Sequence, residues 1–350
     1  MIKKRAKSKR SIVLDNPYLK LLRIPNIFTV PPDIILGYLI AISSLNASSF
    51  TNQGNNILDL VMLVISSILL YLGGLVSNDL FDFKTDKIER PNRPLPSGAV
   101  QKKSAIILTV LFFVSGFILS SFINITSAAI SGLLVISILL YNYKLKNGFY
   151  RPFVMGAIRS LNVIFGFSFI FGFSGSNTFL PFSNIAIGYT VDLQLIMLLA
   201  LSCLSIFFHI FVLTYISSKE TTREYSLKNK KSISIKKIFY FYFSFLAIIG
   251  IVGSFLVEYQ TDYLVFLLSL GLFSSLVYLK SHQKMLDLVD DDDDGDGSLA
   301  MQFIVKSMIT LLILLDSTFI AGMSGAIIGL AVAIFFIFPS IILSKKISMT

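Results

Sequence analysis

A chain of 350 residues that is 54% hydrophobic and 14% charged, with mean hydropathy +0.77, is too apolar to face water as a soluble domain. Its net charge is +10, and its single cysteine, Cys203, cannot form an internal disulfide. Collagen, coiled coil, disordered tail and disulfide-rich secreted module are excluded, which leaves an integral membrane protein.

Residues 1–23 form a basic segment carrying Lys3, Lys4, Arg5, Lys7, Lys9, Arg10, Lys20 and Arg23. It is followed by Pro31-Pro32 and a full-length apolar run without an Ala-x-Ala-like cleavage site, so it leads into an uncleaved first helix. A bilayer span needs about 20 apolar residues at about 1.5 Å each. Ten runs fit, near 27–45, 57–77, 104–122, 125–141, 153–173, 191–214, 236–257, 261–280, 302–319 and 322–344. The fourth is short and the ninth contains Lys306 and Asp316, so the reading is nine or ten spans in one multi-span domain over 24–346.

The basic residues are one-sided. Of 30, eight precede the first span, six lie between spans two and three, three between four and five, seven between six and seven, two follow span eight, and Lys345 and Lys346 end the chain. The loops at 46–56, 123–124, 174–190 and 258–260 contain none. Cytoplasmic loops collect Lys and Arg, so both termini and the basic loops are expected in the cytoplasm of a cell-membrane protein. Juxtamembrane attraction to anionic membrane lipids accounts for the charge, and no nucleic-acid-reading module is present.

The chemically informative stretch starts at the cytoplasmic end of span two, Ser77-Asn78-Asp79-Leu80-Phe81-Asp82-Phe83-Lys84-Thr85-Asp86, and continues through Arg90-Pro91-Asn92-Arg93-Pro94-Leu95-Pro96-Ser97-Gly98. On a helix Asn78, Asp79, Asp82 and Asp86 share one broad face. Carboxylates that close repel unless a cation sits among them, and an oxygen-only donor set suits Mg²⁺ with phosphate oxygens. Arg90 and Arg93 are placed to clamp those phosphates as forked donors, and the prolines stop the helix and stiffen the loop. The plain alternative is a solvated, mixed-charge loop after a span.

With the segments Leu22-Arg23-Ile24-Pro25-Asn26, Tyr141-Asn142-Tyr143-Lys144 and Met155-Gly156-Ala157-Ile158-Arg159-Ser160-Leu161-Asn162, the stretch resembles the UbiA superfamily of intramembrane prenyltransferases. The resemblance implies an all-α bundle around a central cavity. It implies Mg²⁺-dependent transfer of a polyprenyl group from a polyprenyl diphosphate to a hydrophobic acceptor, an aromatic quinone precursor or a lipid alcohol. By that likeness Asp82, Asp86 and Lys144 are catalytic, and Asn78, Arg90, Arg93, Tyr141, Arg159 and Asn162 bind diphosphate. Asn78, Asp79, Asp82 and Asp86 hold metal, joined by Glu220 and Glu224. These two glutamates stand where the family usually has a second Asp-x-x-x-Asp motif, and a surface charge pair with Lys219 and Arg223 is the other reading.

Arg159 and Asn162 lie one turn apart inside span five, where an unpaired charge costs several kcal/mol. They face the interior, as substrate contacts or as part of an ion pair with Asp33 or Asp316. His209 reads as a hydrogen-bonded packing residue rather than a base. The run Asp290–Gly297 lacks the glutamate of a calcium loop, with Met301 in its place, and reads as a solvated connector within an acidic loop near 287–298. A transporter or lipid-binding protein of the same fold is the competing function, although the internal repeats common in transporters are not evident.

Overall fold

The computed structural model describes residues 16–43, 56–172, 193–220, 232–290 and 298–344. Every regular element among them is helical. Two short helices, α1 (Pro17–Leu21) and α2 (Ile24–Ile27), lead into α3 (Val30–Ser43). Then come α4 (Asn56–Phe81), the short α5 (Phe83–Glu89), α6 (Lys102–Ser121), α7 (Ile125–Tyr143) and α8 (Arg151–Phe167). The chain continues through α9 (Leu193–Glu220), α10 (Ser232–Ser254), α11 (Gln260–Asp290), α12 (Ser298–Ser324) and α13 (Ala326–Ser344). Counting Ile24–Ser43 as one, ten helices among the described residues are long and apolar enough to cross a bilayer, so the higher of the two expected counts holds.

Local chemistry sets the element ends. The Asn124 side chain accepts from the Ser127 N–H at 2.7 Å, capping α7, and donates to the Ser168 carbonyl at 3.1 Å. Helices α12 and α13 are separated by Gly325 at φ +87°, a conformation that costs glycine little, and the Asp262 carboxylate caps α13 by accepting from the Ala326 N–H at 2.8 Å.

The first and ninth spans are the most enclosed, each 67% buried, whereas α6 and α13 turn Ile107, Val110, Leu111, Phe335 and Phe338 outward as lipid-facing surface. Asp316, unexpected in an apolar span, therefore sits at the centre of the bundle. Helices α3 and α8 cross closely because two glycines meet the opposing backbone. A Cβ on Gly166 would lie 2.9 Å from Ile34 Cα, and one on Gly37 would lie 2.8 Å from the Phe167 nitrogen. That crossing brings Asp33 of α3 against Arg159 and Asn162 of α8.

Candidate functional site

The acidic row keeps its helical register through the break between α4 and α5. The Asp82 N–H donates to the Asn78 carbonyl at 2.9 Å, Asp86 to Asp82 at 2.8 Å and Arg90 to Asp86 at 2.8 Å. Hydrogen bonding of this kind holds Asn78, Asp82 and Asp86 on one face, as the spacing predicts. The proline-rich tail then folds back, burying Leu95 and Val100 against Val76 and Leu21. This apolar anchor fixes Arg93 over the row.

The cations expected among the carboxylates include protein side chains. Arg23 reaches Asp79 at 2.7 Å, and Arg93 reaches Asp86 at 2.7 Å and Asp79 at 3.9 Å. Asp79 and Asp86 are both buried, whereas Asp82 is half-buried and pairs with Lys146. Lys144, the lysine expected in the site, is exposed and forms no ion pair among the described residues. The reason is local: α7 ends at Tyr143, and the 3₁₀ turn Leu145–Asn147 redirects the chain so that the second lysine points at Asp82. Arg90 also forms no ion pair among the described residues.

Beside this row opens a cavity of about 340 Å³, within the range of small-molecule sites. Its polar mouth is lined by Arg23, Asn78, Tyr141, Asn142 and Arg151. Arg23 takes a left-handed backbone, φ +43°, in the turn between α1 and α2. A non-glycine residue held there is a form of strain that tends to collect at functional sites. Arg151 lies beside Tyr141 and leaves its buried Nε without a hydrogen-bond partner. Asn142 donates to the Ser77 hydroxyl at 2.7 Å and to the Gly74 carbonyl at 3.1 Å, tying α7 to α4. The walls are apolar, with Leu70, Leu134, Ile138, Met155, Ile210 and Leu312.

The far end of the cavity is polar again, through Ser67, Arg159 and Asn162. Arg159 forms the ion pair expected with Asp33: its Nε lies 2.6 Å from Asp33, its terminal nitrogen meets the Thr29 carbonyl, and the residue also lines the cavity. Asn162 donates to Asp33 at 3.0 Å and accepts from the Ser67 hydroxyl at 2.5 Å.

His209 is a packing residue as expected, with Nδ1 2.8 Å from the Tyr242 hydroxyl and Nε2 2.9 Å from the Met308 carbonyl. Glu220 ends α9, but its side chain, Glu224 and residues 291–297 lie outside the described residues. The spacing argument missed Arg23, Lys146 and Arg151. Arg23 stands in a segment that carried the resemblance, and the other two follow span four as the remaining basic residues of their loop, so charge placement was the available signal.

The side chains beside the mouth that could ligate a metal offer oxygen, and among the described residues no three His, Cys, Asp or Glu side chains gather as a metal cluster. Asn78 and Asp82, one helical turn apart, nevertheless fit Mg²⁺, which commonly takes one or two protein oxygens and fills its shell from phosphates and water.

Fold and cavity define a multi-pass helical membrane protein with an enclosed site. Residues 36–285 match the UbiA prenyltransferase family, and the chain belongs to that family. It is 31% identical over 150 residues to the digeranylgeranylglyceryl phosphate synthase of Sulfurisphaera tokodaii, covering 43% of this chain and 51% of the relative. To the enzyme of that name from Methanocaldococcus jannaschii it is 33% identical over 165 residues, 46% of this chain and 52% of the relative. The match thus spans about half the length of these curated relatives. A solved UbiA homologue from Aeropyrum pernix shares the fold, with a TM-score of 0.55 at 16% identity, covering 85% of this chain and 97% of the homologue.

Proposed function

We propose that this protein transfers a polyprenyl group from a polyprenyl diphosphate to a hydrophobic acceptor within the membrane. The observation that carries the reading is the pairing, in one cavity, of a cation-rich polar mouth with apolar walls. An anionic diphosphate fits the mouth and an isoprenoid chain fits the walls. Family membership and the synthases matched over half their length support the same chemistry.

In this reading Arg23, Arg93, Lys146 and Arg151 surround the diphosphate oxygens, and Asn78 and Asp82 are the residues that would hold Mg²⁺. The ion supplies charge neutralisation of the departing diphosphate. Asp79 and Asp86 act one step back, holding Arg23 and Arg93 in place before substrate arrives. Donors already aimed at developing charge in a water-poor site stabilise the transition state without reorganising. The apolar walls keep water from the allylic carbon while the bond from C1 to the diphosphate oxygen breaks, its electrons leaving on the diphosphate, and the acceptor supplies the electron pair of the new bond and gives its proton to the departing diphosphate. Glu220 and Glu224 remain candidates for a second metal. The active-site loops and both termini are assigned to the cytoplasm by the charge distribution.

The test is incubation of the purified full chain with Mg²⁺, labelled geranylgeranyl diphosphate and a membrane-lipid extract, followed by mass spectrometry. A labelled lipid that forms with wild type and is lost on Asp82→Asn and on chelation is the expected result. A wild-type protein that neither binds the diphosphate nor forms product overturns the reading.

A further inference from the structure

The two polar ends of the cavity differ in charge. The mouth offers Arg23 and Arg151 to an incoming anion, with Arg93 and Lys146 in the adjoining row. Arg159 lies eight residues along α8 from Arg151, about 12 Å deeper at 1.5 Å per residue. Its guanidinium is already engaged by the Asp33 carboxylate and the Thr29 carbonyl. Behind that pair stands Asp316, fully buried, its carboxyl group against that of Asp33.

This deep end therefore holds two carboxyl groups for one guanidinium. With both ionised it is net negative, and with one proton between them it is neutral. In neither state does it present a free positive charge. An anionic group brought here would lose its hydration beside carboxyl oxygens and gain no uncompensated cation, which is costly in a low-dielectric interior. An uncharged hydroxyl or carbonyl meets neutral partners that line the cavity, the Ser67 hydroxyl and the Asn162 amide, together with the other N–H groups of Arg159.

We propose that the deep end seats an uncharged, hydroxyl- or carbonyl-bearing part of the acceptor, and that Asp33, with Asp316 behind it, is the positioning residue that sets this preference by cancelling the charge of Arg159. The assignment rests on the prenyl-transfer reading and narrows its acceptor class. A site that hydrogen-bonds its substrate and holds repulsive groups against the competitor discriminates by both effects.

The test uses the full chain in lipid nanodiscs with Mg²⁺ and geranylgeranyl diphosphate, and acceptor pairs matched in size. One pair is 4-hydroxybenzamide with 4-hydroxybenzoate, and the other is geranylgeranylglycerol with its phosphate. Wild type is expected to favour the uncharged member of at least one pair by about ten-fold or more in kcat/KM. Asp33→Asn combined with Asp316→Asn, which leaves Arg159 without a counter-charge, is expected to narrow that ratio by a similar factor, chiefly by admitting the anion, with KM for the diphosphate unchanged. Should that double variant fail to fold, Asn162→Ser retains the Asp33–Arg159 pair and is expected to raise KM for the uncharged acceptor alone. The assignment is overturned if wild type favours the anion in both pairs, if no uncharged acceptor is prenylated, or if the variant leaves the ratio unmoved. Absence of Mg²⁺-dependent diphosphate binding by wild type would instead sink the prenyl-transfer reading and the assignment with it.

Discussion

Asp82 is the half-buried member of an acid row whose other two carboxylates are buried and each bound to an arginine, and its partner is a lysine on a different helix connection. Lys146→Met is therefore expected to lower kcat/KM for the diphosphate by about ten-fold or more, while Lys144→Met stays within about two-fold of wild type. Steady-state kinetics of the two variants side by side decide it, and equal effects would remove Lys146 from the site. The acid row was legible in the sequence because its i, i+3, i+7 spacing is a property of the helix itself. The choice between two lysines two positions apart was not, because it depends on where α7 stops and how a single 3₁₀ turn rotates the chain. Arg23 was hidden for a related reason: its aim follows from a left-handed backbone conformation that composition does not reveal in an arginine.

Helix crossings, like side-chain aims, rest on small local features. The contact between α3 and α8 depends on Gly37 and Gly166, each pressed on backbone that cannot rotate away. Gly166→Ala is expected to cost about 1–3 kcal/mol, read as a lower melting temperature in detergent, because the added methyl must push the two helices apart. The same separation would loosen the Asp33–Arg159 pair, so deep-site function should fall with stability. An unchanged melting temperature would mean that the crossing has slack. Element existence was well marked in the sequence by apolar runs, but boundaries drifted where punctuation was weak. The first span divides into Ile24–Ile27 and Val30–Ser43, and the ninth runs on to Ser324 rather than 319 because Gly322, Met323 and Ser324 continue the helix until Gly325 ends it.

Across the whole molecule, the loops that charge placement assigns to the cytoplasm include the two that carry Arg93 and Lys146 of the site. Reporter fusions after residues 95 and 225 are expected to report the cytoplasm, and one after residue 258 the opposite side, since the loop at 258–260 holds no Lys or Arg. A reporter found outside the cell at residue 95 would reverse the membrane face from which the diphosphate enters. The bundle and its orientation could be argued from hydropathy and charge because a bilayer imposes both. The cavity could not, since its lining draws residues from six spans and the α1–α2 turn, whose relative rotation only packing decides.

The ion pairs at the mouth carry a kinetic consequence. Asp79, Asp82 and Asp86 meet Arg23, Lys146 and Arg93 within the protein itself, so the charged groups are gathered and desolvated as the chain folds. On the prenyl-transfer reading, an arriving diphosphate would meet arginines already held by Asp79 and Asp86, with little further rearrangement between encounter and bond breaking. Turnover in such a site would then be paced by the lateral diffusion of two greasy molecules and by product escape into the bilayer.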